Sequence, residues 1–193
     1  MEGRFARWKG ILGINIVLCM VSCGQLQTKA PAGTPRFRDL PAYFAGEKIA
    51  LKQAGLQYQK WVEQNGVRDS STASDSNTID HLLKPFAEIN LNKPSLRDQY
   101  TIDSVVNGFT GARSLIYSAK KPDVRPQQVL LETDSTGFIQ TVQIMSRTKN
   151  LLYTASQVLV YEHLKTMRVA TDQKVILLSP QHLSVLVRMS PKQ

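Results

Sequence analysis

Val129-Leu130-Leu131-Glu132-Thr133-Asp134-Ser135-Thr136-Gly137-Phe138-Ile139-Gln140-Thr141-Val142-Gln143-Ile144 is the stretch that decides the fold. Two runs rich in branched and aliphatic residues flank Asp-Ser-Thr-Gly, a turn chemistry that predicts an antiparallel strand pair. The same period of two continues outward. Upstream, Tyr100, Ile102 and Ser104 alternate with polar neighbours, and Leu115, Tyr117 and Ala119 do so after a turn from Gly108 to Gly111. Downstream, Arg147 to Asn150 predicts a reversal, and Leu151, Tyr153, Ala155, Gln157, Leu159 and Tyr161 then fall in step. Val175 to Leu178 and the alternating Leu183, Val185, Val187 and Met189 complete the series. Strands joined this closely predict a meander, because parallel pairing needs crossover helices and none is present. A helix from Thr154 to Lys165 is the weaker alternative, since Val158, Val160 and Tyr161 favour strand.

Ahead of Pro94 the period becomes helical. Phe44, Leu51, Gly55, Tyr58 and Val62 fall on one stripe with Ile49 and Trp61 beside it, while Lys48, Lys52, Gln53, Gln59, Lys60 and Glu63 face away. This predicts a helix over 41–64 that stops at Asn65-Gly66. The run from Asp69 to Asn77 is small and polar, which predicts a mobile loop over 67–77. Asn77 or Thr78 then caps a second helix through Ile79, Leu82, Leu83, Phe86 and Ile89, with a bend or break expected at Pro85. The expected fold is α+β: an N-terminal amphipathic helix pair, then an antiparallel β-meander of about seven strands, curved into a half-barrel. One domain over 42–193 is expected, since a chain of this length buries enough surface for a core of its own.

The N-terminus carries a different signal. Arg4, Arg7 and Lys9 precede an apolar run from Ile11 to Val21, and Met20-Val21-Ser22-Cys23-Gly24 follows. Positive charge, an apolar segment, a small residue and a cysteine are the order of a secretory leader ending in a lipid-attachment site. Length separates this from a membrane span. Gly10 to Cys23 is 14 residues, interrupted by Gly13 and Asn15, and a spanning helix needs about 20 apolar ones. The expectation is a leader over 1–22, acylation of Cys23, and a tether over 23–41 punctuated by Pro31, Pro35 and Pro41. Cys19 is the poorer attachment site, because bulky Leu18 precedes it. Both cysteines lie in this region, so the mature domain holds no thiol for a disulfide or for nucleophilic chemistry.

Net charge is +9 for the chain, and removing Arg4, Arg7, Lys9 and Glu2 with the leader leaves +7. The excess is dispersed, and no nucleic-acid-binding module accompanies it. A solvated basic surface with weak attraction to anionic lipid or glycan is expected, and no nucleic-acid partner.

Catalytic patterns are missing. His81, His163 and His182 lie on separate elements without metal-ligand spacing, so no metal or cofactor is expected. Ser114 follows Gly111-Ala112-Arg113 but lacks a nucleophile elbow. Glu132 and Asp134 share a strand face but border a tight turn, where acidic side chains accept from backbone donors. Gly108-Phe109-Thr110-Gly111 lacks the lysine and the helix of a phosphate loop. The remaining candidates are aromatic: Tyr58, Tyr100, Tyr117 and Tyr153 are the residues a hydrophobic ligand would meet between helix and curved sheet.

Several strings give the chain a resemblance. Lys60-Trp61-Val62-Glu63-Gln64-Asn65-Gly66, Phe86 with Asn90-Leu91-Asn92-Lys93-Pro94 and Tyr100, Asn150-Leu151-Leu152-Tyr153, and Gln173-Lys174-Val175-Ile176 resemble a group of uncharacterised lipoproteins of the Bacteroidota. Ile79 departs from that group, where a tryptophan is usual. The resemblance implies an exported protein and transfers no functional residue. The functional expectation is a membrane-anchored lipoprotein of the cell envelope, on the periplasmic face or outer membrane, non-enzymatic and structural or accessory to an envelope protein partner. The alternative is a carrier or sensor of a hydrophobic ligand.

Overall fold

The computed structural model describes residues 36–73 and 76–192; the leader, Cys23 and most of the tether lie outside them. The element order is α1 (Leu40–Gln53), β1 (Leu56–Gln64), β2 (Val67–Ala73), α2 (Ser76–Ala87), β3 (Tyr100–Val106), β4 (Arg113–Ala119), β5 (Gln128–Thr133), β6 (Ile139–Lys149), β7 (Tyr153–Glu162), β8 (Thr166–Val175) and β9 (Gln181–Pro191). All nine strands belong to one open antiparallel sheet in the order β2-β1-β9-β8-β7-β6-β5-β4-β3. The expected helix pair followed by about seven strands is therefore wrong: among the described residues a hairpin separates two helices, and the sheet has nine strands.

The correction has a local cause. Leu51, Gly55, Tyr58 and Val62 fit a helical stripe, but from Leu56 onward Leu56, Tyr58 and Val62 also fit a period of two. Gly55 breaks the tie with φ +59, which glycine adopts without strain and which ends α1 after its Ala54 cap. Asn65 and Gly66 have φ of 50 and 86 and join Gln64 to Val67. That is the double positive φ of a two-residue hairpin turn, where a helix stop was expected. The polar segment expected as a loop over 67–77 thus carries β2, an exposed edge strand whose Asp, Ser and Thr side chains discourage further pairing.

α1 begins where the Asp39 carboxylate accepts from the Ala42 N–H at 3.0 Å. Its face of Leu40, Phe44, Glu47 and Leu51 is buried against the sheet. α2 presents buried Ile79, Leu83 and Phe86 to the same core. Pro85 sits within its last turn and the helix runs on to Ala87, so the expected break does not occur there. Asp80 of α2 bridges Lys48 at 2.9 Å and Lys52 at 3.2 Å, tying the helices together.

The inner face of the sheet supplies Tyr58, Val187, Met167, Tyr161, Leu159, Val142, Ile144, Val129, Leu131, Tyr117 and Tyr100. Phe44, Phe86 and Tyr161 meet at ring separations of 5.3, 5.4 and 6.1 Å, and Phe37 packs on Tyr100 at 5.8 Å and on Tyr117 at 5.2 Å. Phe86 is 0% exposed, so Phe86→Ala is expected to cost about 3–5 kcal/mol in chemical denaturation. Phe109→Ala in the exposed turn after β3 is expected to change stability by less than about 0.5 kcal/mol. Equal costs would place the core elsewhere.

Candidate membrane-facing site

Two turns stand out because their aliphatic side chains have nothing to pack against. Asn150 folds the turn between β6 and β7: its Oδ1 accepts from the backbone N–H of Leu152 at 3.0 Å and of Tyr153 at 2.8 Å. That geometry closes the turn on polar groups and leaves Leu151 and Leu152 outside the sheet. The turn between β8 and β9 lies beside it, joined by the Ile176 N–H donating to the Leu152 carbonyl at 2.9 Å. Here Ile176, Leu177 and Leu178 are exposed as well. The sequence pattern placed Leu151 and the run from Val175 to Leu178 in strands; the structure ends those strands at Tyr153 and Val175.

Leu151 is 92% exposed and Leu177 98%. Leu177 also has φ +66, a left-handed conformation that costs a residue with a Cβ about 1–2 kcal/mol. That conformation closes the turn in which the Leu178 N–H donates to the Val175 carbonyl at 3.1 Å, a position that glycine or asparagine fills at lower cost, so the turn itself does not call for an exposed leucine side chain. A single exposed leucine is ordinary, but four leucines and an isoleucine on two hydrogen-bonded turns mark an interaction patch. The patch has a mainly cationic border: Arg147 and Lys149 lie in the last three positions of β6, Lys174 precedes the last residue of β8, and Arg125 joins Arg147, Lys149 and Leu151, with Asp123 among them, around a hollow of about 710 Å³.

Topology fixes where this tip lies. In an antiparallel meander the starts of β3, β5, β7 and β9 share one end of the sheet with the ends of β4, β6 and β8. The described chain begins at that end: the Arg36 guanidinium donates to the Arg97 carbonyl and to Asp98, both at 3.3 Å, just ahead of β3. The described chain thus begins at the end of the sheet that carries the aliphatic tip.

The other nominated residues are elsewhere. Tyr58, Tyr100 and Tyr117 are buried with their hydroxyls satisfied: Tyr58 donates to the Leu51 carbonyl at 3.3 Å, Tyr100 donates to the Pro126 carbonyl at 2.7 Å, and Tyr117 accepts from the Arg38 N–H at 3.3 Å. A cavity of about 80 Å³ touches Tyr58, below the roughly 300 Å³ at which small-molecule pockets begin. Tyr153 is half-buried at the first position of β7, beside the tip. Burial pushes the Tyr100 phenol up to about 12 and raises Tyr58 and Tyr117 as well. Cys23 lies outside the described residues.

One polar cluster escaped sequence reasoning. Glu47, 4% exposed, accepts from the Tyr161 hydroxyl and meets His163 Nδ1 at 2.7 Å. Burial, followed by the hydrogen bond to Glu47, holds the Tyr161 phenol far above its usual range. Tyr161 and Glu47 are sealed beneath α1, so the trio satisfies a buried carboxylate rather than offering it to a substrate. Glu47 occupies the inward stripe Leu40, Phe44, Leu51, and a carboxylate at such a position is the signal that would have found it. His182 pairs with Asp172 at 2.6 Å on the surface, and His81 is exposed on α2. Glu132 lies within β5, while Asp134 accepts from the N–H groups of Thr136 and Phe138 at 2.9 and 3.0 Å in its turn. Among the described residues no three His, Cys, Asp or Glu side chains converge as a metal site, and no helix is long and apolar enough to cross a membrane.

Compared with protein-family models, with curated proteins and with solved structures, the chain matches none.

Proposed function

We propose that the protein is an exported, non-enzymatic lipoprotein of the cell envelope, structural or accessory to a partner, held at the bilayer at two points: acyl chains on Cys23 and the aliphatic tip. The observation that carries this is the exposure of Leu151, Leu152, Ile176, Leu177 and Leu178 at the sheet end where the described chain begins. Acyl chains on Cys23 hold the chain to the bilayer through its tether, and a second contact from the tip fixes the domain itself against the surface. An apolar patch bordered by Arg125, Arg147, Lys149 and Lys174 is such a contact for an anionic leaflet. Cys23 is 13 positions from Arg36, a stretch that spans at most about 45 Å, so both attachments can reach one membrane. The order of the leader and the resemblance to Bacteroidota lipoproteins support export. Labelled palmitate fed to cells is expected to appear in the mature protein and to vanish in Cys23→Ser, which keeps its leader. An unlabelled parent found in the cytosol would contradict the proposal.

A further inference from the structure

The helices cover the inner face of the sheet, and the outer face over β2, β1, β9 and β8 forms an open groove of about 540 Å³ lined by Trp61, Arg68, Arg168, Leu186 and Arg188 with Glu63 and Ser184. The strand register puts Trp61 opposite Leu186, and Leu186 opposite Arg168, while Arg188 lies one step along the same face. Arg188 sits over the Trp61 ring with its guanidinium carbon 5.4 Å from the centroid. Glu63 engages Arg68, accepting from Nη2 at 2.7 Å and from Nε at 3.3 Å, and that bond, with the charges of Arg68 and His182, holds the Glu63 carboxyl below the usual carboxylate range. Among the described residues neither Arg168 nor Arg188 has a carboxylate within 4.0 Å. Arg168 and Arg188 are diagonal neighbours on one face of adjacent strands, about 7–8 Å apart at the backbone, and both line the groove, so one anion can engage both guanidiniums.

We propose that this groove binds an anionic saccharide: a sugar ring bearing phosphate or carboxylate, with its charge on Arg168 and Arg188 and its ring against Trp61 and Leu186. Its volume suits one or two sugar rings. A single aromatic side chain provides no platform for the successive stacked bases of a single-stranded nucleic acid. The choice of a saccharide over a bilayer phospholipid rests on the membrane-facing tip proposed above; the anion site itself does not. Arg168 precedes the last residue of β8 by seven positions and Arg188 follows the first of β9 by seven, so both stand about 24 Å along the strands from the tip. A phospholipid headgroup layer is about 5–7 Å deep, and a sugar chain reaches further.

Trp61 reports on this groove, because the chain has two tryptophans and the other is Trp8 in the leader. Titrating the full-length Trp8→Phe protein in detergent with glucose 6-phosphate or glucuronate is expected to shift Trp61 emission saturably. Glucose and inorganic phosphate are expected to bind at least about tenfold more weakly, and Arg168→Ala and Arg188→Ala each to lose about tenfold in affinity. Far-UV circular dichroism checks that the variants fold, and Arg188→Lys is expected to retain part of the response. The proposal is overturned by a flat titration, by inorganic phosphate binding as well as the sugar phosphate, by tighter binding of a thymidine decamer, or by folded arginine variants that bind like the parent. None of these readouts contains a membrane, so failure here leaves the anchoring proposal standing, and loss of vesicle binding by tip variants leaves this one standing.

Discussion

Replacing Leu151 and Leu177 together with aspartate is expected to lower partition of the protein without leader or acyl chains onto anionic vesicles by about a thousandfold while its unfolding midpoint stays put or rises. Full burial of one leucine side chain is worth about 1.5–3 kcal/mol, and the two are 92% and 98% exposed in the unattached domain. Losing both removes about 4 kcal/mol of attachment, which is three decades in a partition coefficient. The folded state loses no packing, and substitutions at such exposed sites move stability by less than about 0.5 kcal/mol. Aspartate tolerates the φ of +66 at position 177 better than leucine does, so Leu177→Asp alone is expected to stabilise the domain. A variant that is more stable and less attached identifies the leucine as retained for the surface it meets. Unchanged sedimentation with vesicles, or a lowered melting temperature with attachment intact, would make the tip structural. Neutralising Arg147, Lys149 and Lys174 is expected to weaken attachment by about 1 kcal/mol per charge, with the effect disappearing as salt is raised.

The domain is expected to unfold cooperatively between about pH 10 and 12 rather than lose its fold gradually. Tyr43, Tyr58, Tyr100, Tyr117 and Tyr161 all have raised phenol pKa values, mainly through burial, with Glu47 adding to the effect at Tyr43 and Tyr161. A raised folded value means that the stabilisation is complete below the unfolded value, near 10, and is lost as pH climbs through the folded one. In that window the unfolded chain gives up protons that the folded chain keeps. Each such tyrosine lowers stability by up to about 1.4 kcal/mol per pH unit, so several acting together exhaust a typical 5–15 kcal/mol within about two units. Phenolate absorbance near 295 nm and far-UV circular dichroism should change together, and Tyr161→Phe should make the loss less steep. Absorbance from more than one of the six tyrosines near pH 10, ahead of any change in dichroism, would contradict the burial of these rings.

The helix, strand and turn chemistries were legible wherever a single period ruled. Asp134 to Gly137 closes its hairpin as its residues imply, with Gly137 at φ +85 and Asp134 bonded to the backbone of Thr136 and Phe138. Legibility failed where two periods coincided. Tyr58 and Val62 satisfy both helix and strand spacing, and pairing of β1 with β9, over a hundred residues downstream, makes the choice. Local sequence carries no trace of that partner. β2 was invisible for the same reason: Arg68 to Ala73 buries almost nothing and is a strand because β1 offers it an edge. The tip was hidden by the opposite error. Aliphatic runs at 151–152 and 175–178 are assumed to be inside, and it takes the turn geometry of Asn150 and the positive φ of Leu177 to put them outside. The nominated tyrosines were recognisable as apolar-face residues, but whether a ring lines a cavity or fills it depends on how close α1 lies, which only coordinates show.

Depth is the most direct test of two-point attachment. An environment-sensitive fluorophore at Leu177→Cys, in the acylated protein on anionic vesicles, should emit as in an apolar medium and be quenched by lipids brominated in the upper acyl chain, about 5–10 Å below the headgroups. Emission typical of water with no quenching, from protein that remains bound through its acyl chains, would show that the domain floats free of the bilayer and would contradict the account.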